Sequence, residues 1–121
     1  MIAYQTNGRW LVRVEGGRRN RDTVPGETLE VPEKPRPVAC WRDEHEDSCG
    51  HGTSWFTQFR AGDVTFCIES FVWHPAPGYS WSESWESFSD MEPPQMGEAW
   101  AWTGDGWEAT RHSMSAEGVL Q

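Results

Sequence analysis

The chain has 121 residues and a formal net charge of −9, a length that fits one domain. Leu, Ile, Val and Phe supply only 18 residues, about 15% of the chain, and so few aliphatics beside so much charge is a composition typical of disordered segments. Nine tryptophans oppose that reading, because each ring buries on the order of 150–250 Å², and they predict a folded domain with an aromatic core.

The first predicted element is a hairpin. Ile2–Thr6 and Arg9–Val14 flank Asn7-Gly8, the pair preferred in a two-residue type I′ turn, so residues whose numbers sum to 15 face one another. Trp10, Val12 and Val14 then share the face that suits a core, since the opposite face carries two arginines. Gly16 to Asp22, with Arg18, Arg19 and Arg21, reads as an exposed mobile loop, and a short strand follows over Thr28–Val31. Three prolines in residues 32–37 impose extended or polyproline geometry and predict a surface crossover within a single domain, 1–121.

Val38–Trp41 reads as a short strand leading into an acidic Cys/His loop over residues 42–53. Ser54–Arg60 and Val64–Trp73, rich in Phe, Trp, Thr and Val, form a second hairpin whose second arm is bulky on both faces and therefore central in its sheet. Ser80-Trp81-Ser82-Glu83 has capping-box spacing, and Trp81, Trp85 and Phe88 recur at i, i+4 and i+7, so a helix is expected over about 81–91, closed by Pro93-Pro94. The last hairpin pairs Trp102 with Trp107 across a four-residue loop, or with Ala109 across a two-residue Asp-Gly turn, and the match of Glu98 with Arg111 favours the first; the tail from 112 to 121 is expected to fray or form a short terminal turn. Together these elements predict an α+β fold: a mostly antiparallel sheet or small partly open barrel built from three hairpins, with one short helix packed on it.

Charge and chemistry narrow the function. Residues 1–37 carry seven basic and five acidic side chains, whereas residues 38–121 carry three basic and fourteen acidic ones. So acidic a body disfavours direct nucleic-acid binding and suits a protein partner with a basic surface. Asp43, Glu44, Glu46 and Asp47, with Glu83 and Glu86, are the expected partner-binding acids. Trp10, Trp55 and Trp85 are assigned to core faces, and Trp100, Trp102 and Trp107 to cross-strand packing.

Cys40, His45, Cys49 and His51 lie within twelve residues and are zinc-ligand types, with Cys67 as a substitute for one histidine, although Cys-x4-His-x3-Cys-x-His matches no zinc-finger spacing. The cofactor expectation is accordingly none, or one structural zinc. An odd cysteine count argues against a disulfide framework. No phosphate loop, nucleophile elbow or His-Glu-x-x-His occurs, which disfavours catalysis; an enzyme would have to use a Cys/His pair such as Cys49 with His51 or His74.

No run of about 20 apolar residues could span a membrane, and no charged-then-apolar leader opens the chain, so a cytoplasmic location is expected. The leading functional expectation is a non-catalytic inhibitor that covers a basic, nucleic-acid-binding surface of a protein. Its small, acidic, tryptophan-rich texture fits an accessory protein of a virus or other mobile element. The alternatives are a zinc-stabilised assembly module and, third, a small Cys/His enzyme.

Overall fold

The computed structural model describes residues 1–19, 22–81, 83–93, 99–102 and 107–110, the last two stretches as backbone. Every regular element among them is a strand: β1 (Ile2–Thr6), β2 (Arg9–Val14), β3 (Gly16–Arg19), β4 (Asp22–Val24), β5 (Glu27–Val31), β6 (Arg36–Asp47), β7 (Gly50–Ala61), β8 (Val64–Pro75), β9 (Glu83–Ser89), β10 (Ala99–Trp102) and β11 (Trp107–Thr110). They form two open antiparallel sheets, one of three strands in the order β1-β2-β5 and one of eight in the order β11-β10-β6-β7-β8-β9-β3-β4. Neither closes into a barrel. No helix among the described residues is long and apolar enough to cross a membrane.

Asn7 and Gly8 adopt φ of +50° and +74°, the left-handed pair that a type I′ turn requires, and β1 pairs with β2 in the expected register from Ile2↔Arg13 to Thr6↔Arg9. The segment after β2 is not a mobile arginine loop. Arg18 and Arg19 sit on β3, which pairs with β4 as Gly17↔Val24 to Arg19↔Asp22. The pairing of β2 with β5 runs Trp10↔Val31 to Val14↔Glu27, in the same register as that of β3 with β4. The two pairs are therefore one long hairpin, bent between Glu15 and the Pro25-Gly26 step. Its first half belongs to the small sheet and its second half to the large one, so a single hairpin hinges the layers. Residues 32–35, with Pro32 and Pro35, carry the chain from β5 to β6, and Pro37 already lies within β6.

Alternation sorts β6 to β9 onto two faces. On the inner face, Phe59, Ala61, Val64, Phe66, Ile68 and Phe88 pack against Trp10, Val12, Val14, Leu29 and Val31 of the small sheet. Val12 and Val14 are fully buried, which confirms the core face assigned to the first hairpin. On the outer face, Ala39, Trp41, Phe56 and Cys67 form a second buried cluster. Rings stack across the strands there: Trp41 on Phe56 at 5.3 Å and Phe71 on Trp85 at 5.4 Å between centroids. β8 is central, as its two bulky faces imply.

The expected helix over 81–91 is corrected to β9. Trp85 and Phe88 are three residues apart, so on a strand they point to opposite faces, Trp85 to Phe71 and Phe88 to Phe66. Both faces are covered, which turns the polar-apolar alternation of a strand into a spacing that imitates a helical stripe. Four serines weaken a helix here, whereas pairing with β8 from Cys67↔Ser89 to Trp73↔Glu83 satisfies the backbone. The final hairpin has the expected register, Trp102↔Trp107. The tail over 112–121 lies outside the described residues.

Candidate protein-binding surface

β6, β7 and β8 are each 12 residues long, but β2 and β5 have only six and five. The small sheet therefore covers only part of the inner face. Beyond it the hairpin arms project as a tip that bears Arg42, Glu44 and Glu46 from β6, Thr53 and Trp55 from β7, and Val72 and His74 from β8. The acidic Cys/His loop expected over 42–53 is not a loop. Pairing of β6 with β7 continues unbroken from Arg42↔Trp55 to Asp47↔Gly50, and only Ser48-Cys49 form the turn. Asp47 Oδ1 accepts the N–H groups of Cys49 at 2.8 Å and Gly50 at 3.2 Å, which pins that turn. Those bonds hold the Asp47 carboxyl below the usual carboxylate range, led by the one from Cys49.

Trp55 is the main departure from the sequence reading. Assigned to the core, it is 38% exposed, as is neighbouring Val72 at 39%. The Arg42 guanidinium lies over its ring, 5.4 Å from the centroid, and orients it. Glu44 Oε1 sits 3.7 Å from Arg42 Nε and 3.7 Å from His51 Nε2, and the His51 ring stacks on His74 at 6.3 Å. An exposed tryptophan is thus ringed by acids, an arginine and two histidines. The lengths of the strands carried the signal for this exposure, since a six-residue strand cannot cover a 12-residue one.

The six expected partner-binding acids do not form one patch. Glu44 and Glu46 lie on the inner face and Asp43 and Asp47 on the outer one, because successive strand residues alternate. Glu83, on the outer face, accepts the Trp85 indole N–H at 3.3 Å. Glu86 is already occupied. Its Oε2 takes the Met1 ammonium at 2.7 Å and its Oε1 the Glu15 N–H at 3.4 Å.

The same alternation separates the four expected zinc ligands. Cys40 points to the inner face, where the Thr57 hydroxyl donates to its Sγ at 3.9 Å, and burial raises its thiol above the ordinary value. His45 lies on the outer face with Asp47, 3.2 Å away; Cys49 is in the turn and His51 on the inner face. Cys40 and His51 are six strand positions apart, roughly 20 Å, well beyond a shared tetrahedron. Cys67 lies on the outer face beside Gln58, its thiol pushed up to about 12 by burial, then by Glu69 and Cys40. Among the described residues no three His, Cys, Asp or Glu side chains group to hold a metal ion. All three thiols are free.

At the outer side of the tip, Trp73 is stacked on Trp81 at 5.5 Å, and Tyr79 meets Trp81 edge-on at 5.7 Å. A hydrogen bond with Cys49 raises the Tyr79 phenol above its usual value and ties this aromatic group to the Ser48-Cys49 turn. Compared with family models, curated proteins and solved structures, the chain gave no match.

Proposed function

We propose that this protein is a small non-catalytic binding protein whose projecting tip docks on a basic surface of a protein partner and blocks nucleic acid from reaching it. The observation that supports this reading is exposed Trp55, oriented by Arg42, flanked by Val72 and bordered by Glu44 and Glu46. Tryptophan is enriched among the residues that dominate interface affinity, and surrounding acids speed encounter with a positive surface. Asp43 and Asp47 add to the field from the other side of the same strand. The buried thiols stay protonated at neutral pH, which makes Cys40 and Cys67 poor nucleophiles.

The test is capture of partners from host lysate by the wild-type chain, Trp55→Ala, and a variant with Asp43, Glu44, Glu46 and Asp47 all changed to Lys. A partner held through the tip is lost with both variants, and its own nucleic-acid binding is inhibited by the wild-type chain alone. Its association slows steeply between about 0.1 and 1 M salt, as the Debye length falls from roughly 10 to 3 Å. Equal capture by all three proteins, or a captured partner that still binds nucleic acid, would overturn the proposal.

A further inference from the structure

An open edge of the small sheet lies beside the exposed tryptophan. The Met1 ammonium binds Glu86, and Glu86, Ser70, Trp55 and Arg42 form one cross-strand row of the inner face. Pro32, just past β5, instead lies against the turn at the opposite end of the large sheet, where a Cβ on Gly62 would be 3.1 Å from its ring. β1 is therefore the strand of the small sheet nearest the tip, and its free edge borders the ground held by Trp55 and Val72. Among the described residues no strand pairs with that edge.

Two independent features define what that edge accepts. The first is its lack of defence. The other outermost strands carry acids, which discourage stray pairing: Glu27 and Glu30 on β5, Asp22 on β4 and Glu108 on β11. Ile2 to Thr6 of β1 carry no charge and no proline, and all five are exposed. The second is the direction of its backbone groups. In a type I′ hairpin the residues beside the turn, Thr6 and Arg9, exchange both hydrogen bonds, and bonded pairs then alternate with unbonded ones. Ile2, Tyr4 and Thr6 thus turn their N–H and C=O groups to β2, whereas Ala3 and Gln5 turn theirs outward, over the tip.

We infer that the edge and the tip form one site for an extended basic segment of a partner protein, which adds to β1 as a fourth strand of the small sheet. The inference rests on the docking role proposed for the tip and names what docks there. Side chains of an added strand alternate, so one set falls on the side of Ala3 and Gln5, toward the large sheet. That set meets Trp55, Val72, Glu44 and Glu46, which suit the alkyl stems and charged heads of lysine or arginine. The other set falls beside Ile2 and Tyr4, 42% and 38% exposed, which suit valine or another β-branched residue. An acidic segment is repelled by Glu44 and Glu46, and so is a second copy of this chain, with its net charge of −9.

Calorimetric titration with the capped peptide Thr-Lys-Val-Lys-Val-Lys-Thr tests this directly. Replacing its lysines by glutamine should weaken binding at least about tenfold, as should Trp55→Ala in the protein. Strand addition uses the N–H groups of one alternate set of peptide residues, so N-methylating either the lysines or the valines should abolish binding while methylating the other set leaves it. Ala3→Pro removes an outward N–H, leaves the β1–β2 ladder whole and should weaken binding about three- to tenfold, the scale of one hydrogen bond. Loss with Trp55→Ala but equal tolerance of the two methylated peptides overturns strand addition and supports the tip alone. Unequal tolerance with no loss in Trp55→Ala overturns the tip, and this inference with it. No binding, or equal binding of the glutamine peptide, overturns the basic segment as occupant. A wild-type dimer in sedimentation that Ala3→Pro abolishes overturns it in favour of a second copy.

Discussion

The outer-face aromatic stacks depend on a place where β7 has no side chain, and Gly52→Ala tests this. A Cβ at Gly52 would lie 2.8 Å from two ring carbons of Phe71 and 3.2 Å from the Trp73 ring. Both rings are held from behind, Phe71 by Trp85 at 5.4 Å and Trp73 by Trp81 at 5.5 Å, so neither can retreat without disturbing its stack. Overpacking of this kind costs about 1–3 kcal/mol. Opposing it, alanine restricts the unfolded chain and gains about 0.4–1 kcal/mol. The net is a loss of about 1–2 kcal/mol, or a Tm lower by roughly 4–8 °C at this chain length. Thermal unfolding followed by far-UV circular dichroism measures it, and near-UV circular dichroism reports the ring stacks separately. Because Phe71 is the closer obstacle, the penalty should shrink in a Phe71→Ala background, a coupling that a double-mutant cycle resolves. An unchanged or raised Tm for Gly52→Ala, or strict additivity with Phe71→Ala, would refute the packing argument.

Four other outcomes follow from the same structure. Trp55→Ala should leave Tm within about 2 °C of wild type, because an exposed ring contributes little to folding, and a larger drop would return Trp55 to the core. Titrated with a thiol reagent near neutral pH, native protein should expose Cys49 first, with Cys40 and Cys67 reacting only on unfolding; three equal rates would contradict their burial. Since the Cys67 thiol ionises at 9.0 without burial and at about 12 when folded, the unfolded chain loses its proton first. Stability should therefore fall as pH rises through that window, and Cys67→Ala should flatten the fall in alkaline denaturation curves. For Asp47 the sign is opposite. Its folded value is depressed from 3.8, so its contribution holds above that pH and fades as acid protonates it. Asp47→Ala should thus lower Tm at neutral pH but have a diminishing effect in acid.

Where turn chemistry and packing agreed, the residues announced the fold. Asn7-Gly8 specified both the first hairpin and its register, and the two-sided bulk of Val64–Trp73 marked a central strand. The failures share one cause. Arg18 and Arg19, Asp43 to Asp47, and Glu83 to Ser89 are all strands whose side chains do not alternate cleanly, and each is extended because a neighbour binds its backbone. Glycines and arginines at 16–19 carry no apolar pattern, yet β3 pairs with both β4 and β9. Residues 43–47 read as a loop because of their charge, but β7 supplies a continuous ladder for them. Backbone pairing is non-local, so propensity and periodicity along one segment are blind to it. The expected zinc ligands are divided by the same pairing: residues close in a loop share a site, whereas residues close on a strand are dealt to opposite faces.

The charge of β6 has a structural meaning apart from the docking role proposed for it, and the two can be told apart. Among the described residues, β10 meets β6 at Trp100↔Cys40, and no strand pairs with the outer side of Asp43 to Asp47. A strand edge with no partner among the described residues invites pairing with another chain, and rows of charge are a common protection against it. Acids there are therefore expected even in a protein that binds nothing, so they cannot by themselves establish a docking surface. Trp55 is different. Edge protection gives no reason to leave a large ring exposed one strand inward, on a face whose far half is sealed by the small sheet. Arg42 does not bury that ring but holds it in place, with Val72 beside it. The aromatic residue, rather than the acidic run that dominates the sequence, is what distinguishes a binding face from a defended edge. Charge reversal along β6 should thus alter self-association as well as encounter rate, whereas Trp55→Ala should weaken partner affinity alone.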